Sequence, residues 1–210
     1  MKKRLAAIYD KLYAHFGPQG WWPASSAFEV IVGAILTQNT SWVNVEKAVA
    51  NLKKDKALNP RRLLNMNNKR LAGFLRPAGY YNIKTKRLKE FLKFFCQEYR
   101  GNIARMSAKK TQDLRLQLLK VHGVGQETAD SILLYALNKP VFVVDAYTRR
   151  ILSRHGLVRP DMEYAEIQNL FRKNLKNSVK LFNEYHALLV KLGKDYCRKN
   201  NPKCQVCPLK

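Results

Sequence analysis

The stretch Val121-His122-Gly123-Val124-Gly125-Gln126-Glu127-Thr128-Ala129-Asp130, followed at Val143-Val144-Asp145 by a carboxylate closing an apolar run, decides the reading of this chain. Leu114, Leu118 and Leu119 before it, and Ala129, Ile132, Leu133, Ala136 and Leu137 after it, recur at helical spacing. The pattern predicts two helices joined by a Gly-x-Gly turn. Such a turn leaves backbone N–H groups unpaired at the start of the second helix, where a phosphate gains hydrogen bonds and a favourable dipole. An isolated glycine pair is as readily a plain helix-to-helix turn, and an isolated Asp at a helix start is as readily an N-cap, here for Ala146 to Arg154. The two features stand together, with Asp145 eighteen residues after Glu127.

Composition points to the same kind of partner by a separate route. The 210 residues hold 39 Lys and Arg against 15 Asp and Glu, a formal charge of +24 that exceeds what solubility needs and suits an anionic polymer. The chain is 46% hydrophobic, enough to bury a core in one domain or two small lobes. Its basic residues are spread through periodic apolar segments, as at Lys84, Lys86, Arg87 and Lys89 or at Arg149, Arg150 and Arg154, which predicts solvated helix faces rather than a disordered tail. On composition alone, a membrane-surface protein or a generally basic proteome remains the alternative. No apolar run reaches a transmembrane length, and Met1-Lys2-Lys3-Arg4 leads into an amphipathic segment rather than a signal peptide. The expected location is the cytoplasm, beside the nucleoid if the source is prokaryotic, and the expected state is a monomer.

Nearly every segment has a helical period. Leu5, Ile8, Leu12 and Phe16 mark a helix ending at Gly17-Pro18, and Ser26-Ala27-Phe28-Glu29 has the form of a capping box opening a helix from Phe28 to Gln38 that is apolar nearly all round. Val45, Val49 and Leu52 mark the next helix, Leu63, Leu71 and Leu75 fall in short ones, and Leu88, Phe91, Leu92 and Phe95 in a longer one. Ile151 and Leu152, then Ile167, Leu170 and Phe171, then Phe182, His186, Leu189 and Leu192, mark the last three. About ten helices and no hairpin of strands predict an all-α protein.

The hairpin and the spaced Asp together resemble the endonuclease III-like superfamily of helix-hairpin-helix (HhH-GPD) DNA glycosylases. The segments Trp21-Trp22-Pro23, Gly33 to Thr40, Arg76 to Asn82 and Gly123 to Asp130 are similar to its 3-methyladenine DNA glycosylase III branch. The resemblance implies a two-lobed all-α fold with the active site in the cleft between lobes. The expected division is a central lobe over 22–129 ending in the hairpin, a second lobe from 1–21 with 130–196 carrying the catalytic Asp, and a Cys-containing loop over 197–210. It implies Asp145 as the catalytic residue and Gln38, Gly123, Gly125 and Thr128 as DNA-binding residues. Trp21 or Trp22 with Pro23, together with Trp42, would sandwich a flipped base. At position 127 the members that also cut the DNA backbone carry a Lys that forms a Schiff base, and Glu127 cannot do so. Glu127 is read as a pocket residue or as an ordinary first-turn acid. The implied activity is monofunctional, hydrolytic excision of N-alkylated purines from duplex DNA in base excision repair. A mismatch or deaminated-base glycosylase, an endonuclease III-type glycosylase and lyase, and a DNA-binding module without catalysis are the other readings.

Cys197, Cys204 and Cys207 form C-x6-C-x2-C. The same spacing begins the four-Cys iron-sulfur loop of endonuclease III relatives, whose fourth ligand would fall three positions beyond Lys210. For a [4Fe-4S] cluster with this incomplete ligand set, a truncated sequence, a non-Cys fourth ligand and a metal-free tail all remain open. Cys96, between Phe95 and Gln97 in an apolar helix, reads as core.

Overall fold

The computed structural model describes all 210 residues and contains helices without β-strands. The chain divides into two compact units, Ala24–Lys139 and Met1–Pro23 with Pro140–Lys210.

The unit Ala24–Lys139 is built on helix α2 (Ala27–Leu36), of which every residue from Phe28 to Leu36 is buried. A helix apolar on all sides must be surrounded. Around it pack α3 (Trp42–Lys54), α6 (Tyr81–Tyr99) and α9 (Gln126–Ser131). The short α4 (Pro60–Asn65) and α5 (Asn68–Leu75) lie on α6, and α7 (Ile103–Ser107) and α8 (Thr111–Lys120) lead to the hairpin. The start of α2 departs from a simple capping box. Ser26 accepts from the Glu29 amide at 3.2 Å, but the Glu29 carboxylate reaches past it to the amide and hydroxyl of Ser25 and to Lys53 at 2.6 Å. Burial alone would raise that carboxyl, and the bonds from Lys53 and Ser25 outweigh it and hold it below the ordinary value.

Residues 130–139, assigned from the sequence to the other lobe, belong here. The backbone continues from α9 into a π-helical turn over Ile132–Ala136, all five side chains are buried, and Leu137 N–H bonds Ile132 O. These contacts are made with α2 and α9, so the boundary falls at 139 rather than 129.

The second unit comprises α1 (Lys2–Phe16), α10 (Ala146–Arg154), α11 (Tyr164–Asn174), α12 (Val179–Asp195) and the C-terminal turns. Its core stacks Phe142 on Phe171 with ring centroids 3.5 Å apart and sets Phe182 and Tyr185 edge-on to Phe142. Tyr185, fully buried, satisfies its hydroxyl on Leu5 O at 2.8 Å and so ties α1 to α12. Helices α10 and α12 approach so closely at Gly193 that a Cβ there would lie 2.2 Å from the Tyr147 ring.

Candidate active site

Helix α8 ends at Val121, and Gly123 carries the chain through φ +86, a left-handed conformation that favours glycine. Gly125 differs. Its φ of −88 is open to any residue and a Cβ there would meet nothing within 4 Å, so the protein's own packing does not call for a glycine. A backbone kept bare on the outside suits close approach by a ligand. The amides at the start of α9 follow directly, with Glu127 exposed in the first turn. Arg115 on α8 grips the fully buried Asp130 on α9 through two bonds of 2.6 and 3.0 Å, which fixes the two helices of the hairpin against each other.

Gln38 lies just beyond α2 and its amide donates to Gly123 O at 2.9 Å and to Thr128 Oγ1 at 3.0 Å. Thr128 itself is buried. Of the four residues expected at the DNA, Gln38, Gly123 and Thr128 are therefore one bonded group within this unit, and Gly125 lies in the chain between Gly123 and Thr128. Trp42 opens α3 in the same unit, half-buried.

In the other unit Asp145 stands at the start of α10, its side chain 12% exposed. Oδ1 accepts from the Thr148 amide at 2.7 Å, so the residue is an N-cap, and Oδ2 lies 3.6 Å from His186 Nε2 on α12. Burial by itself would raise this carboxyl. The His186 ring and the Thr148 group outweigh burial and hold Asp145 below the ordinary carboxylate value, so it is ionised at neutral pH. An ionised carboxylate with one oxygen committed to structure and one directed at a polar partner can stabilise a developing positive charge and take a proton from water. Trp21 and Trp22, half-buried, have ring centroids 5.2 Å apart, and Lys194 sits over the Trp21 ring at 5.8 Å, while Pro23 is exposed. Arg150 lies over the Tyr147 ring at 5.0 Å and donates to Cys197 O at 2.7 Å.

Residues 32–177 match the family model of the HhH-GPD superfamily base excision DNA repair proteins. The chain belongs to this superfamily. It is 50% identical over 205 residues, 97% of this chain and 92% of the relative, to a Methanocaldococcus jannaschii protein whose name marks it as a candidate DNA repair glycosylase. Among solved structures it is similar to the Helicobacter pylori 3-methyladenine DNA glycosylase bound to 1,N6-ethenoadenine, at 30% identity and TM-score 0.76, covering 92% of this chain and 95% of that one. A non-covalent endonuclease III–DNA complex shares the fold, with TM-score 0.85 at 21% identity over 100% of this chain and 93% of that one. The HhH-GPD protein is thus an all-α DNA glycosylase of base excision repair.

The glycosylase's C-terminal thiols bear on the cluster that the resemblance implies. All four cysteines are free. Cys197 is buried and its Sγ accepts from Arg154 at 3.4 Å, while burial first, then the neighbouring Cys197 and Cys204, push the Cys207 thiol up against a lowering bond from Leu209. Cys197, Cys204 and Cys207 are the thiols that a [4Fe-4S] cluster would draw on, and in this structure no three metal-binding side chains converge on one point.

Two residues in these surroundings escaped the sequence reading. In the sequence His186 is one position of a buried helix face, and a histidine among Phe182, Leu189 and Leu192 is itself the signal. Arg87 stands in a run of cations, Lys84, Lys86, Arg87 and Lys89, and nothing in the sequence separates it from them.

Proposed function

We propose that the glycosylase is monofunctional and removes N-alkylated purines of the 3-methyladenine type by hydrolysis. The observation that carries this reading is the carboxylate at position 127, exposed in the first turn after the hairpin, where a lyase of this superfamily places an amine. The Helicobacter pylori relative, named for 3-methyladenine and bound to 1,N6-ethenoadenine, supports a damaged purine as the substrate class.

The chemistry needs little more than Asp145. A purine alkylated at a ring nitrogen carries positive charge, so when its bond to C1′ breaks the electron pair flows into the base and neutralises it. No general acid is required. Positive charge develops on the sugar and is stabilised by the ionised Asp145, held by the Thr148 amide and His186. Water then adds its oxygen to C1′ and gives its proton to the Asp145 carboxylate. In this reading Trp21, Trp22 and Trp42 supply ring faces, which attract a cationic base by about 0.5 to 2 kcal/mol per contact.

Borohydride trapping tests the assignment. Incubation with duplex bearing a 3-methyladenine should leave abasic sites and no covalent enzyme–DNA adduct, because no Schiff base forms. Efficient trapping would show that another Lys acts as nucleophile and that the enzyme is a lyase.

A further inference from the structure

We propose that Arg87 is a positioning residue for DNA binding, setting the shape of the hairpin through Gln38. The inference rests on the hairpin as the duplex-binding element and adds to it a residue on α6, remote in sequence.

Three contacts converge. Arg87 Nη1 donates to Gln38 Oε1. An arginine offers only donors, so Gln38 must turn its carbonyl oxygen toward α6 and its NH2 toward the hairpin. There the NH2 spans two acceptors, Gly123 O at 2.9 Å and Thr128 Oγ1 at 3.0 Å. One acceptor lies in the turn itself, at Gly123, and the other in the first helical turn of α9. A single amide therefore closes the loop that contains Gly125, Gln126 and Glu127, and Arg87 dictates which way that amide faces. Arg87 also touches the loop directly. Its aliphatic stem lies on Gly123, where a Cβ would meet Arg87 Cγ at 2.3 Å and Cδ at 2.9 Å.

The support behind Arg87 is rigid. Its helical neighbours Lys84 and Leu88 are buried, and Lys84 Nζ donates to Ala78 O at 2.7 Å. The half-buried guanidinium is spent on an amide rather than on a carboxylate. Without it the Gln38 amide is free to rotate and set its oxygen against Gly123 O, two acceptors facing each other, and the loop loses its closure. Preorganisation of the hairpin amides then falls, and with it affinity for the phosphate backbone.

The test measures the affinity of the full chain for an undamaged duplex over a range of salt concentrations. Gly125→Val is the control for the hairpin itself, since its Cβ meets nothing inside the protein. Arg87→Met keeps the stem on Gly123 and removes the guanidinium. The expected results are weaker binding by Gly125→Val, and about three- to tenfold weaker binding by Arg87→Met with the salt slope unchanged. In a Gln38→Ala background the Arg87→Met effect should vanish, because the two act as one unit. Arg87→Lys, which retains stem, charge and one donor, should regain most of the affinity; if Arg87→Met fails to fold, Arg87→Leu takes its place, with the same loss expected and again no effect in the Gln38→Ala background. Wild-type affinity for Arg87→Met beside a weakened Gly125→Val would overturn the proposal and leave the hairpin reading standing. A salt slope reduced by about one, with the same loss in both backgrounds, would make Arg87 a direct phosphate contact and also overturn it. Unchanged binding by Gly125→Val would remove the hairpin reading, and the proposal with it.

Discussion

Asp145 gives one oxygen to the fold and leaves the other for the proposed chemistry. Oδ1 caps α10 on the Thr148 amide, and Oδ2 faces His186. Asparagine keeps an acceptor for the cap but loses the charge, so Asp145→Asn should fold, bind duplex, and lose base release by about three powers of ten in single-turnover assays. The sign of the pH effect follows from the lowered carboxyl. The ionised form contributes stability above the unfolded value of 3.8, and that contribution is lost as pH falls through the folded value. The stability advantage of wild type over Asp145→Asn should therefore be present at neutral pH and close in strong acid, as followed by thermal unfolding. Trp42 belongs to the same scale. Alanine there should cut 3-methyladenine excision strongly and phenylalanine should restore most of it, with undamaged-duplex binding scarcely changed. Equal activity of all three would make Trp42 packing alone. The sequence displayed Asp145 through its distance from the hairpin. It concealed His186 and Arg87, because a residue whose role is to hold another has no spacing of its own; its partner, 41 positions away for His186 and 49 for Arg87, is known only once the chain has folded.

At the scale of elements, α12 meets α10 at Gly193, where an added Cβ would lie 2.2 Å from the Tyr147 ring. Gly193→Ala forces α12 away from α10, the pair that carries His186 and Asp145, and should cost about 1–3 kcal/mol in thermal or denaturant unfolding. A stability equal to wild type would show that the Tyr147 ring can simply swing aside. Lys84 offers an independent check on α6. Burial, then Arg87, lowers its ammonium to about 8 from 10.5. Between those values the unfolded chain holds more protons, so wild-type stability should rise with pH from 8 toward 10.5 relative to Lys84→Met, which lacks the group. A flat difference over that window would contradict the burial. The helices themselves were readable because their apolar residues recur at three and four, and because Ser26 and Asp145 cap where they were expected to. The π-helical turn over Ile132–Ala136 was not, since an extra residue per turn leaves no mark in an already apolar run.

For the whole molecule, family and fold were legible from two motifs, and the charge of +24 agreed with them. The boundary between units was not, because it depends on which neighbours residues 130–139 pack against rather than on their composition. The central claim is that this HhH-GPD protein releases an alkylated purine as a free base and leaves the strand whole. The direct measurement is a duplex carrying one 3-methyladenine, incubated with enzyme and divided between chromatography of the released base and gel analysis of the strand before and after alkali. The expected result is free 3-methyladenine, an intact strand before alkali, and a cut at the lesion only after it. No release of the base, or a strand already cut before alkali, would contradict the account.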